Sequence, residues 1–368
     1  MTPVRTRQVV RRLPHLWTAG VIGAALAAGW AAPARAGKND LRLLNLCPRQ
    51  SVTIDGAPQQ ECSWFQRDAS GLITGPARPD ADGQSAYRSL MSELGVVVAP
   101  RLMTPADTLG YAGFQFSAEL GVTKINNNNR YWDGVQAVDP ANRMASRPDA
   151  YITTVGGYVR KGLWLPLPAF EFGAGALKIV DSNMYAIQGY AKFALQEGFH
   201  GWALPSFAVR GSVSQLLGTD QVDLTVWGID VLASKAFSIG GTARIEPFLG
   251  WNILFIDARS GVIDGTPGCD AFAVNSLPAG SAAPSPQCAS AQSGSWNDLQ
   301  ANFVFPAQDI ITRQRWFGGF KLKLSVVFLA AELDIVPRGS SHDATQPEGA
   351  ADLSGTQETY SLSGGFDF

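Results

Sequence analysis

The chain closes on Tyr360-Ser361-Leu362-Ser363-Gly364-Gly365-Phe366-Asp367-Phe368. In steps of two from the last residue, Phe368, Phe366, Gly364, Leu362 and Tyr360 share one face, and Asp367, Gly365, Ser363 and Ser361 the other. A period of two marks a strand, whose successive side chains point to opposite faces of the sheet. A soluble sheet turns its apolar face to a core and seldom leaves an aromatic pair at the free carboxylate. A strand that is apolar outward, small and polar inward and aromatic at its end fits a membrane barrel meeting the lipid interface.

The alternation runs back to about residue 111. In a first strand over 112–124, Phe114, Phe116, Ala118, Leu120 and Val122 alternate with Gln115, Ser117, Glu119, Gly121 and Thr123. A second, over 151–163, sets Val155, Val159 and Leu163 against Thr154, Tyr158 and Arg160. Phe170, Phe172, Ala174 and Ala176 mark a third, opposite Glu171. The fourth turns Tyr185, Ile187 and Phe193 out and Gln188, Tyr190 and Lys192 in; the fifth turns Phe207, Val209 and Val213 out and Arg210 in. In the sixth, Val222, Leu224 and Val226 read as outward, and Asp223, Thr225 and Trp227 as inward. The seventh has Ile245, Leu249, Trp251, Ile253 and Phe255 out, with Arg244, Glu246 and Asn252 in. The eighth has Trp316, Phe320 and Leu322 out, with Arg313, Arg315, Lys321 and Lys323 in. The ninth has Leu329, Leu333 and Ile335 out, with Glu332 and Asp334 in.

Segments of this length cross a bilayer at a tilt. With the terminal strand they predict an all-β fold: a transmembrane, antiparallel up-and-down barrel of about ten strands over 111–368. Twelve strands would need two more before residue 110, where Val96–Ala99 offers only one. A β-sandwich also alternates, but aromatics recur near the strand ends (Tyr185, Trp251, Trp316, Tyr360), as in the interfacial girdles of a barrel. With the last residue periplasmic, ten strands put the segment before residue 111 on that side too. The long connections 125–150, 258–308 and 338–356 then lie on the far side.

At the other end, Arg5, Arg7, Arg11 and Arg12 precede a mostly apolar stretch from about Leu16 to Ala32, and Ala34-Arg35-Ala36 supplies an A-x-A site before Gly37. This reads as a secretory signal peptide over 1–36, the rival being an uncleaved anchor. No later stretch holds 18 consecutive apolar residues, so membrane-spanning helices are not expected. Five of the 29 basic residues and none of the 31 acidic ones precede Gly37. The remainder is therefore acidic, which gives no support for nucleic acid as a partner. Residues 37–110 do not alternate. Gly75-Pro76-Ala77-Arg78-Pro79-Asp80 reads as a linker, and Tyr87, Leu90, Met91 and Leu94 as one stripe of a short amphipathic helix. The segment is a plug or a periplasmic extension; the helix needs an apolar surface to cover, which favours the plug. Cys47, Cys62, Cys269 and Cys288 are an even number in an exported chain, and local pairing gives two disulfides. With no C-x-x-C and no histidine beside either pair, neither metal nor cofactor is expected.

The inward positions carry the charge: Arg160, Lys192, Arg210, Arg244, Arg313, Arg315, Lys321 and Lys323 against Glu119, Glu171, Asp223, Glu246, Glu332 and Asp334. In a narrow barrel such groups pair and fill the interior, because an unpaired buried charge costs several kcal/mol. The functional alternative is a constriction in which Arg313 and Arg315 favour anions. Tyr158, Tyr190 and Trp227 leave room for a hydrophobic ligand. Ser340-Ser341-His342-Asp343 invites a hydrolase reading, but neighbours in sequence are not a triad and a polar loop is a poor platform. His200 falls in a predicted turn.

The signal sequence, the alternation and a terminal strand carrying Tyr360, Leu362, Phe366 and Phe368 together resemble Gram-negative outer-membrane β-barrel proteins as a class. A barrel preceded by a plug-like segment is also broadly similar to the FadL-type transporters of hydrophobic compounds, whose barrel is larger. The class resemblance implies an outer-membrane location, lipid around the barrel, and a terminal strand read by the barrel-assembly machinery. The expected function is a channel or transporter for a small solute through a partly occluded, charge-lined lumen. The alternatives are a structural or adhesive barrel displaying the cysteine-closed 258–308 loop and, more remotely, an outer-membrane hydrolase.

Overall fold

The computed structural model describes residues 37–368 apart from 55–56, 68–72, 76, 102, 136, 139–144, 147, 164–168, 198–203, 266–301, 344 and 346–348. The expected signal peptide, the turn at 165–168, His200 and the pair Cys269 and Cys288 lie outside the described residues.

Ten antiparallel strands form the wall: β1 Phe114–Lys124, β2 Tyr151–Leu163, β3 Phe170–Ile179, β4 Tyr185–Gln196, β5 Ser206–Leu217, β6 Val222–Ser234, β7 Ala243–Ser260, β8 Ile311–Leu324, β9 Val327–Val336 and β10 Gln357–Asp367. Each pairs with its neighbour in sequence, β6 reaching β7 past a short stretch, Phe237–Ile239, that also pairs with β7. β10 then pairs with β1. The seam runs to the last residue, where Phe114 and Phe368 exchange backbone hydrogen bonds of 3.0 and 2.8 Å. Closure leaves the wall no edge to template pairing with another chain. The strand number is ten, as the alternation predicts, and not twelve.

The outer wall is apolar and uncovered: Leu329, Leu249, Leu362, Ile187 and Trp316 are all more than half exposed. An apolar surface running round the whole wall is what lipid covers. Phenylalanine pairs ring the end where the short turns lie: Phe114 with Phe116 (4.5 Å between centroids), Phe170 with Phe172 (4.6 Å) and Phe366 with Phe368 (6.3 Å). β6 corrects the sequence reading. Its Val222, Leu224 and Val226 face inward and are buried, while Asp223 is exposed on the outer side and Trp227 faces out, 54% exposed.

The reason lies in what fills the long-loop half of the barrel. Helix α1, Ala81–Val98, packs against β6, β7 and β8. Asp80 caps it by accepting from the Gly83 N–H (2.7 Å), and Pro100 follows its end, where a helix cannot continue. The helix is longer than the Tyr87-Leu90-Met91-Leu94 stripe, taking in Val96, Val97 and Val98. It shares one apolar core with Val222, Leu224 and Val226 of β6 and with Leu254 and Ile256 of β7. Inward-facing valines are thus buried against a helix, and the inside of the wall at this part of β6 is not polar.

The core extends outward into a cap. The turns Leu43–Leu46 and Arg130–Gly134, the disulfide Cys47–Cys62, and Trp64 against Phe303 and Phe305 all belong to it. Residues 37–40 bind the turn between β3 and β4: Asn39 N–H donates to the Asp181 carbonyl (3.0 Å) and Ser182 Oγ to Asp40 Oδ1 (2.7 Å). The segment before β1 therefore starts at the long-loop end and reaches β1 at the opposite end. Strand parity places its junction with β1 but not its beginning.

Candidate functional site

Between the end of α1 and the start of β1 the chain crosses the lumen as a strap, described over residues 99–101 and 103–109. The wall holds it group by group. Nearest the helix, Gln188 Nε2 and Ser214 Oγ donate to the Val98 carbonyl (2.7 and 2.8 Å). Arg315 Nη2 donates to the Pro100 carbonyl (2.9 Å) and Arg210 Nη1 to Thr104 Oγ1 (3.1 Å). Lys192 Nζ donates to the carbonyls of Pro105 and Asp107 (3.0 and 2.8 Å). In return, Ser234 Oγ accepts from Ala106 N–H (3.0 Å), Glu197 from Thr108 N–H (2.8 Å) and Glu171 from Leu109 N–H (3.0 Å). An unpaired backbone group away from water is costly, and here wall side chains take the place of a ladder.

The inward charges are also paired with each other. Arg160 meets Glu119 at 3.0 Å and Lys192 meets Glu171 at 3.2 Å. Arg210 meets Asp230 at 2.7 Å, with Arg315 at 3.9 Å from the same carboxylate. Lys321 and Lys323 share Asp367 (2.6 and 2.9 Å), and Arg244 lies between Glu246 (3.2 Å) and the strap's Asp107 (2.8 Å). Glu332 and Asp334 are buried on the inner face of β9. Arg313 lies higher, donating to Ser92 Oγ and Ser354 Oγ (2.8 and 2.6 Å) and to the carbonyls of Pro337 and Gly355. Asp223 has no place in the lumen; at the outer rim it accepts from Gln215 Nε2 (2.6 Å). Arg313 and Arg315 do not form one constriction, because one holds α1 and the β9–β10 connection and the other the strap. A gap lined by Arg101, Met103, Glu119, Tyr158 and Gln188 has a volume of about 10 Å³, room for one water.

Sequence reasoning missed the strap, Asp230 and Glu93. Glu93 is fully buried on α1 and accepts from Tyr131 OH (2.6 Å), Trp132 Nε1 (2.7 Å), Asn126 N–H and Nδ2 (3.2 and 3.0 Å) and Gly355 N–H (2.9 Å). Burial, and then the Glu93 charge, push the Tyr131 hydroxyl above its ordinary value, which keeps it a donor. An acid placed among Leu90, Met91 and Leu94 was the available signal. The Ser341-His342-Asp343 run makes no triad: Ser341 Oγ accepts from Arg88 Nη2 (3.1 Å), and Asp343 Oδ1 from the Thr345 N–H and hydroxyl (2.8 and 2.6 Å).

No protein-family model matches the chain, and no curated protein matches it. Among solved structures it is similar to the translocator domain of the autotransporter NalP from Neisseria meningitidis, at 11% identity and a TM-score of 0.33 over 78% of this chain and 97% of that one. Ail, the attachment invasion locus protein of Yersinia pestis, aligns at 10% identity and a TM-score of 0.23 over 70% and 99%. The outer-membrane protein Omp33 of Acinetobacter baumannii aligns at 11% and 0.21 over 71% and 99%. Overlaps this loose leave the fold to rest on the chain's own strand pairing.

Proposed function

We propose that this is an outer-membrane barrel closed at rest by its own N-terminal segment, and that it passes a small solute when the strap moves. The observation that carries the reading is how the strap is held. Its grip on the wall is mainly a set of hydrogen bonds to Lys192, Arg210, Arg315, Ser234 and Glu171, with small apolar contacts at Met103 and Ala106, whereas α1 is bound through a large continuous apolar core. Exchanging a bond to a charged group for one to water costs about 1.5–3 kcal/mol, well below the bond's strength in an apolar medium. Water entering the lumen can replace these bonds one at a time as the strap leaves, whereas water cannot replace the apolar packing that holds the helix and cap. In this reading the long loops and the cap face outward from the cell, residues 1–36 are removed on export, and Phe368 marks the strand recognised during assembly.

Planar-bilayer recording tests it. The full chain is expected to show low conductance with brief openings, and the chain lacking residues 37–110 sustained openings. A deleted chain that refolds, as judged by heat-modifiable migration, yet stays silent contradicts a conducting role. It would leave the second reading, a display barrel, which one observation favours. The cap shares a continuous apolar core with the upper lumen, making the long-loop end a single rigid surface suited to an external partner.

A further inference from the structure

Arg101 is a strap residue whose side chain is almost wholly enclosed by the wall, with 6% of its surface exposed. Its Nη1 donates to Thr154 Oγ1 (2.6 Å), and its Nη2 to Thr123 Oγ1 (3.1 Å) and to the Val97 carbonyl (2.7 Å). Thr123 is on β1 and Thr154 on β2, so two of the three acceptors belong to the barrel. Gly121 makes the wall behind the guanidinium, and a Cβ built there would overlap Nη1. The wall is hollowed where the planar cation lies. The acids whose charges act on it are, in order, Asp334, Glu119 and Glu332, all on the inner wall, and the Arg315 guanidinium opposes them. Asp334 is 1% exposed, and its Oδ1 has no hydrogen-bond partner among the described residues.

A guanidinium is a rigid planar fork of donors that seeks acceptors in its plane and negative charge nearby. The wall supplies both without help from the strap: two threonine hydroxyls, a glycine hollow and three acids. When the strap withdraws, it removes a positive charge from beside those acids. A cation from solution restores it.

We propose that this cradle is a lumen binding site for a guanidinium-type cation on a small solute, with Arg101 as its tethered occupant in the closed state. As a solute site it rests on the plugged-channel reading; as a cation site it does not. Withdrawal of the strap then exchanges an internal cation for an external one, and the solute's charge sets how readily the barrel stays open.

The test uses the full chain with Arg101→Ala, refolded in detergent and titrated with millimolar methylguanidinium against sodium chloride at matched ionic strength. The thermal transition of the variant should lie several degrees below that of the wild type and rise saturably with methylguanidinium, while the wild type does not respond. Adding Asp334→Asn should weaken the apparent affinity about tenfold, the effect of losing about 1.4 kcal/mol. Arg101→Met, which keeps the aliphatic stem, gives the same measurement should the alanine variant fail to fold. No saturable shift in either variant, or an equal shift in the wild type, overturns the site. Rescue in a barrel that never conducts supports the cation site and counts against the channel.

Discussion

Glu93 gathers donors from Asn126, Tyr131, Trp132 and Gly355, so removing it strands several polar groups at once. Each buried donor left without an acceptor costs about 1–3 kcal/mol. Glu93→Ala should therefore destabilise the cap by about 3 kcal/mol or more, read as earlier urea-induced change in tryptophan fluorescence, with the barrel's own transition little moved. The two aspartates of β6 offer a sharper contrast. Asp230→Ala breaks a buried pair with Arg210 and should cost about 3–5 kcal/mol in denaturant unfolding. Asp223→Ala, at the exposed rim, should stay within about 0.5 kcal/mol of the wild type. Parity makes the inward direction of Arg160, Glu171, Lys192 and Arg210 readable from sequence. It cannot reveal Glu93, whose donors lie between 33 and 262 residues away.

At the scale of elements, alternation marks all ten strands but says which face is inward only where the lumen is polar. β6 is misread because Val222, Leu224 and Val226 are buried against α1. The outward run Trp227, Ile229 and Val231 further along the same strand carries the correct parity. The strap is the least legible element. Thr104-Pro105-Ala106-Asp107 has the composition of a loop, and its partners, Lys192, Ser234 and Arg210, are scattered over three strands. A segment paired by side chains rather than by a ladder leaves no periodic trace. The cap has a separable support in Cys47–Cys62, which closes a short loop. Reduction should cost about 3 kcal/mol in the chain-entropy model. Amide exchange should then rise in the hairpin of Arg49–Ile54 and Ala57–Cys62, with exchange in the ten wall strands unchanged.

At the scale of the whole molecule, a closed wall and its filling have different physics. The wall is complete through backbone pairing and lipid-facing side chains. The filling is an apolar cap and helix above and a polar strap below. Deleting Phe368 removes both backbone bonds to Phe114 and the ring packed beside Phe366. The folded fraction in membranes should drop several-fold, while protein refolded in detergent keeps its heat-modifiable band; an unchanged fraction in membranes would count against the terminal strand as an assembly signal. The described strap residues, 99–101 and 103–109, occupy the lumen, and Ala106, fully buried among them, reports on that directly. In membranes, Ala106→Cys should react with a membrane-impermeant maleimide at least a hundredfold more slowly than Ser238→Cys on the exposed short-turn end. Equal rates at the two positions would mean that the strap does not fill the barrel.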